Sequence, residues 1–126
     1  MGIEIGAQLD ALWRSLFLGA AFALLYDGLR ALRLRRRTRR AGFQEKSFRL
    51  PGGALLHYAE GPDNGPALLL IHGQTGSWSD YCTVLPQLSR DWHVFAVDCF
   101  GHGQSSHQPG LYPLRPHGDA LLRFLQ

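Results

Sequence analysis

The chain has 126 residues, 45% of them hydrophobic and 18% charged, a globular balance within the size range of a single domain. Its net charge of +3 is unevenly placed: residues 1–40 carry eight basic and three acidic side chains, whereas residues 41–126 carry five and seven. Nucleic-acid binding by the body of the protein is therefore not expected, because a surface that tracks phosphates needs basic residues spread over the fold.

Cys82 and Cys99 lie seventeen positions apart, with no CxxC spacing and no histidine at metal-ligand distance. They fit neither a zinc site nor a disulfide framework, and free buried thiols in a reducing compartment are expected. No metal or cofactor is called for.

In chain order, the first element is a hydrophobic helix. Residues 11–26 are strong helix formers and apolar nearly all round, but the uninterrupted apolar run, Leu16 to Tyr26, is short of the ~20 residues that span a bilayer. A span must therefore run over residues 11–32 and carry Arg14, Asp27 and Arg30. The arginines can snorkel from the ends, while Asp27 costs up to a few kcal/mol (roughly) unless it reaches the interface.

Glu4 and Asp10 precede the run, and Arg30, Arg33, Arg35, Arg36, Arg37, Arg39 and Arg40 follow it. That asymmetry orients the N-terminus outside and the rest in the cytoplasm, on the inner face of the membrane. A cleaved signal peptide would want a basic start. A helix that lies on a membrane or binds a partner is the alternative to a span, and the arginine run reads either as a solvated helix end or as a seat for anionic headgroups. Residues 19–33, Gly-Ala-Ala-Phe-Ala-Leu-Leu-Tyr-Asp-Gly-Leu-Arg-Ala-Leu-Arg, resemble the first membrane helix of a spore-cortex biosynthesis membrane protein family; the resemblance of residues 11–33 implies a membrane helix and no activity.

The texture changes near Phe43, which places a domain boundary between residues 1–42 and 43–126. Lys46 to Leu50 alternates as a strand does, Pro51-Gly-Gly53 is turn chemistry, and Ala54 to Glu60 is a second strand, together an antiparallel hairpin. After the turn-rich Gly61 to Pro66, Ala67-Leu-Leu-Leu-Ile71 is apolar on every residue and reads as a buried central strand. Ser79 to about Arg90 has helical spacing with Ser79 as a candidate N-cap, and Pro86 predicts a kink or two short turns. Trp92 to Val97 is another strand, and Leu114 to Gln126 a helix with an apolar face of Leu121, Leu122, Phe124 and Leu125. The order β-β-β-α-β-α is the start of a doubly wound α/β sheet.

Two loops follow the two most apolar strands, and ligand sites in open α/β sheets gather at the carboxyl ends of strands. Leu68-Leu-Leu-Ile-His-Gly73, followed by Gln-Thr-Gly-Ser-Trp78, and Val97-Asp-Cys-Phe-Gly-His-Gly-Gln-Ser-Ser106, separated by one helix and one strand, together resemble the α/β-hydrolase family over residues 46–126. The resemblance implies an incomplete α/β-hydrolase sheet, strands 1–4 with two helices, preceded by the long N-terminal hydrophobic helix. Acyl transfer builds negative charge on a former carbonyl oxygen and needs backbone N–H donors aimed at it.

In the family the residue after His-Gly supplies one such donor. That residue is Gln74, with Gly73 keeping the approach open and His72 bracing the loop. A plain glycine turn is the rival reading of this loop taken alone. Trp78 reads as core packing, with a pocket wall as the alternative. Asp98 and the Gly101-His-Gly103 turn are structural in the family and carry over only as such. The dinucleotide fingerprint is rejected, since Ser106 stands where it needs Gly or Ala and no helix opens there.

The family's nucleophile sits in a Gly-x-Ser-x-Gly elbow after the next strand, and no such pentapeptide occurs in these 126 residues. Ser77, Ser79, Ser105 and Ser106 lack its flanks. The expected reading is a truncated α/β-fold hydrolase, inactive by itself, whose parent hydrolyses small-molecule esters or related bonds through an acyl-enzyme. It leaves the strand at 67–71 with an open apolar edge. The alternatives are a membrane-anchored binding or assembly protein without catalysis, and a fusion of unrelated helix and hydrolase pieces.

Overall fold

The computed structural model describes residues 2–126; the side chains of residues 1–4, and with them the Glu4 charge used above, lie outside the described residues. Helix α1 runs Gly2–Arg40, well beyond residues 11–32, and on its C-terminal side Leu34 and the arginines continue a helix-favouring sequence. At about 1.5 Å per residue it is ~58 Å long. It stops on a glycine: Gly42 takes φ +93°, its N–H reaches Arg39 O (3.0 Å), and Phe43 N–H reaches Thr38 O (3.3 Å). This is the Schellman cap, in which a left-handed residue lets the chain turn back on the last carbonyls.

Packing divides the chain into two compact units, residues 1–34 and 35–126. In the first, every side chain from Ile5 to Arg33 is exposed. In the second, the residues at the end of α1 are part of the packing. Thr38 is fully buried and donates through Oγ1 to Cys82 O (3.3 Å), and the Arg35 guanidinium stands 5.6 Å from the centre of the Trp78 ring.

The second unit holds a four-stranded sheet of β1 (Gln44–Arg49), β2 (Leu55–Glu60), β3 (Ala67–Ile71) and β4 (His93–Val97) in the order β1-β2-β4-β3. β1 and β2 form the expected antiparallel hairpin, with Phe48 opposite Leu56, and β3 runs parallel to β4, with Ile71 opposite Val97. One face of the sheet packs Leu50, Leu56, Val97 and Phe100 under helix α3 (Leu114–Phe124), whose Ala120 is buried among them. The Phe124 ring lies 4.7 Å from that of Tyr58 and 5.6 Å from that of Phe48, both edge-on. Strand alternation turns Val94 and Ala96 to the other face, and Trp78, Cys82 and Leu85 of the β3–β4 connection are buried with them.

Several expectations are corrected. β3 is not a buried central strand: Ala67 and Ile71 are exposed and the rest half-buried, because β3 has the open edge that the hydrolase resemblance implies and no strand pairs its outer side among the described residues. The β3–β4 connection is a 3₁₀ turn, Trp78–Thr83, followed by the single α-turn α2, Leu85–Leu88. Pro86 does divide it, but the N-cap is Ser77 rather than Ser79, with Ser77 N–H donating to Asp80 Oδ2 (3.2 Å). On α3, Leu122 and Leu125 face solvent; the covered side is Ala120, Leu121 and Phe124, set by the 3.6-residue period.

Candidate active site

β3 and β4 are parallel, so the loops that follow them leave the same edge of the sheet. Asp98, the first residue after β4, holds both. It is fully buried. Its Oδ1 accepts Trp78 N–H (2.7 Å) from the β3 loop, and Oδ2 accepts Gln104 N–H (3.0 Å) from its own loop and the Nδ1–H of His57 (2.8 Å) on β2. A carboxylate accepting three donors has most of its acceptor sites filled, which offsets the cost of its burial.

Ser105 completes the hub, donating to Asp98 O (2.6 Å) and accepting His57 N–H (2.8 Å). Gly103 passes so close that a Cβ there would run into the Asp98 carboxylate. That contact, together with φ +50°, is the physical reason for the second glycine of Gly101-His-Gly103.

The β3 loop carries His72, Gly73 and Gln74, and all three line one cavity of about 450 Å³ together with Cys99, His102, Tyr112 and Leu121. His72 bridges the loops: its Nε2 accepts Cys99 N–H (2.9 Å), which leaves Nδ1–H to donate to Gly73 O (2.7 Å). A Cβ built on Gly73 meets no atom within 4 Å, so packing does not demand glycine there. Gly73 and Gln74 share a trans peptide, in which C=O and N–H point in opposite directions. With Gly73 O held by His72 and by Gly76 N–H (3.2 Å), Gln74 N–H is turned away from both, and it donates to no acceptor among the described residues. Trp78 is buried, in the core rather than in the cavity wall.

Burial pushes the Cys99 thiol up from its ordinary range, and Asp98 adds to the effect. Its thiolate fraction at neutral pH is therefore small, which makes it a poor nucleophile despite its place in the cavity. Cys99 is half-buried rather than buried as expected, and both cysteines are free. Burial raises the Cys82 thiol as well.

A family model described as the alpha/beta hydrolase fold matches residues 66–126, a stretch that holds both loops, β3, β4 and α3. Residues 66–126 are an α/β-hydrolase fold segment. The chain is 36% identical over 72 residues to a serine hydrolase-like protein of Danio rerio, a match covering 57% of this chain and 22% of that protein. Among solved structures, a candidate lipase from Acinetobacter baumannii AYE matches with a TM-score of 0.64 and 33% identity, over 73% of this chain and 31% of its own. A membrane phospholipase A, described as a bacterial virulence factor, matches with a TM-score of 0.65 and 27% identity, over 93% of this chain and 39% of its own. The last match takes in residues of α1 as well as the hydrolase unit. The chain thus spans between about a fifth and two fifths of the length of these relatives.

Sequence reasoning named the three β3-loop residues but not their partners. His57, buried and central to the hub, carries no motif that marks it, and Ser105 figures in that reasoning only as part of the second loop and as a rejected nucleophile. His102 sits in the Gly-His-Gly turn that was read as structural, and its ring reaches the β3 loop: Nε2 accepts Thr75 N–H at 3.3 Å.

Proposed function

We propose that this chain supplies the oxyanion side of a hydrolase active site, with the Gln74 N–H as one donor to the developing oxyanion of an ester or related substrate. The observation that carries the reading is that Gln74 lines the cavity and its N–H has no internal acceptor among the described residues, while the carbonyl of the same peptide is held by His72 and Gly76. Gly73 leaves the approach to it open. His72 is a brace and not a base, since both its nitrogens are engaged, Nδ1 within its own loop at Gly73 O and Nε2 with Cys99 N–H of the β4 loop.

The same 126 residues hold no Gly-x-Ser-x-Gly, so the acyl-enzyme chemistry that hydrolase relatives suggest needs a serine this chain does not offer. The chain alone then has no turnover. Incubation with a short activated ester such as p-nitrophenyl butyrate tests this: release no faster than with heat-denatured chain is expected, and saturable turnover would contradict it.

The reading includes a membrane anchor in α1. An 18-residue window within Ile5–Arg40 is long and apolar enough to cross a bilayer by composition, none of it is buried, and a match to a membrane phospholipase A reaches into this helix. The arginines that follow orient the N-terminus outside and residues 41–126 in the cytoplasm. Flotation with liposomes after carbonate extraction is expected for the full chain and not after Leu18→Arg with Phe22→Arg, since each central arginine costs about 2.5–3.5 kcal/mol on insertion scales. Full release of the wild-type chain by carbonate would remove the anchor from the account.

A further inference from the structure

Gln74 lies between two peptide groups, and each is held by a different histidine. The Gly73–Gln74 peptide is held through its carbonyl, which accepts His72 Nδ1–H at 2.7 Å. The Gln74–Thr75 peptide is held through its amide, which donates to His102 Nε2 at 3.3 Å. Each ring is anchored at its other nitrogen to the β4 loop, His72 by Cys99 N–H at 2.9 Å and His102 by donating Nδ1–H to Phe100 O at 3.1 Å. The rings stand 5.0 Å apart, tilted by 59°.

A second observation points the same way. Thr75 is the one non-glycine residue with positive φ (+65°) among the described residues, and it is β-branched. Such a conformation costs ~1–3 kcal/mol and persists only where its surroundings fix it. Two hydrogen bonds hold it here: Gly76 N–H to Gly73 O (3.2 Å), which closes the turn over Gln74 and Thr75, and Thr75 N–H to His102 Nε2.

We propose that His102 is a positioning residue for the Gln74 amide: with His72 it forms a two-histidine clamp that sets the peptide planes on both sides of Gln74. The proposal rests on the reading of Gln74 as an oxyanion donor and adds the device that preorganises it. Preorganisation matters because an oxyanion donor contributes only if its direction is set before charge develops.

The clamp has a required proton state. Each Nε2 accepts a backbone N–H, so each ring must be neutral with its proton on Nδ1. Adding a proton to Nε2 converts the acceptor into a donor facing another donor and opens that arm. The ionisable groups around the pair are Cys99 and Asp98 on the β4 loop, Asp80 and Tyr81 on the 3₁₀ turn, and Tyr112 and His117 beside α3. Asp98 already accepts three donors, and Tyr81 O–H is engaged with Ile71 O (2.7 Å). Neither is placed to take over the Thr75 amide.

Amide exchange and ¹⁵N spectra of the full chain in detergent micelles test the clamp. At neutral pH both rings are expected as Nδ1–H tautomers with bare Nε2. His102→Ala is expected to lower the protection factor of Thr75 N–H at least tenfold and to shift the Gln74 amide, while Val94 and Ala96 in β4 keep theirs. His102→Gln, whose side-chain carbonyl can accept the same amide, is expected to restore protection and to remove its dependence on pH. Acidifying the wild type until the ¹⁵N signal of His102 Nε2 shows that it has taken up a proton is expected to reproduce the loss without any substitution, which covers the case in which His102→Ala fails to fold.

A His102 ring protonated on Nε2 at neutral pH, or a Thr75 protection factor that does not change as His102 titrates, would overturn the proposal. These readouts need no substrate. Failure of the clamp appears in them directly, whereas failure of the oxyanion reading would leave them intact.

Discussion

Residues 5–33 of α1 and the loop pair at the ends of β3 and β4 invert each other. The helix is apolar and bare, with Phe17, Leu18 and Leu24 each more than 70% exposed; the loops have a polar and buried centre, with Asp98 fully buried and Ser105 at 2%. Polarity alone therefore does not decide what is inside. A buried polar group is stable when every donor and acceptor finds a partner, as around Asp98. An apolar surface carries no such internal solution, and α1 is suited to a surrounding other than water.

The contrast breaks most severely at its polar centre. Asp98→Ala strands the amides of Trp78 and Gln104 and the ring of His57 in the interior, and a loss of about 3–5 kcal/mol is expected in chemical denaturation. Next is Gly103→Ala, which forces a Cβ against the same carboxylate from a left-handed backbone; about 2–3 kcal/mol is expected. Gly73→Ala sharpens the comparison, since its Cβ projects into open space: within about 0.5 kcal/mol of wild type in the same assay, with the effect confined to the cavity.

The smallest effect lies at the sheet surface. Burial works to raise the Glu60 carboxyl, but hydrogen bonds from Lys46 (2.7 Å) and His93 (3.0 Å) outweigh it and hold it below the usual range. Its contribution is then complete above the unfolded value of about 4.3 and is lost as pH falls through the lower folded value. Glu60→Gln is expected to flatten that part of a thermal-melt pH series, leaving neutral-pH behaviour almost unchanged.

Much of this architecture is legible in the sequence, and the reason differs by element. The hairpin is announced by Pro51-Gly-Gly53 between alternating runs, and the divided β3–β4 connection by Pro86. The paired loops are legible because acyl transfer and close backbone passage both demand glycine at fixed places. What was not legible depends on partners far along the chain. The apolar run 67–71 is the same whether a strand is covered on one side or two, so its exposure was not legible in the run itself, although the family resemblance implied the open edge. Leu122 and Leu125 match the residues that pack, and only the sheet under α3 separates Phe124 from them. His57, 41 residues before the carboxylate it binds, had no local signal at all. Gly42 did carry one, as a helix-ending glycine after an arginine run.

The central claim, that this segment delivers a preset Gln74 N–H to an oxyanion, is tested most directly in a chimera in which the chain replaces its aligned segment of the membrane phospholipase A. With the partner's remaining strands and nucleophile in place, ester hydrolysis is expected. Gln74→Pro, which removes the N–H, is expected to lower kcat by about 10²–10³-fold with KM nearly constant. A Gln74→Pro chimera that keeps the full kcat would contradict the account.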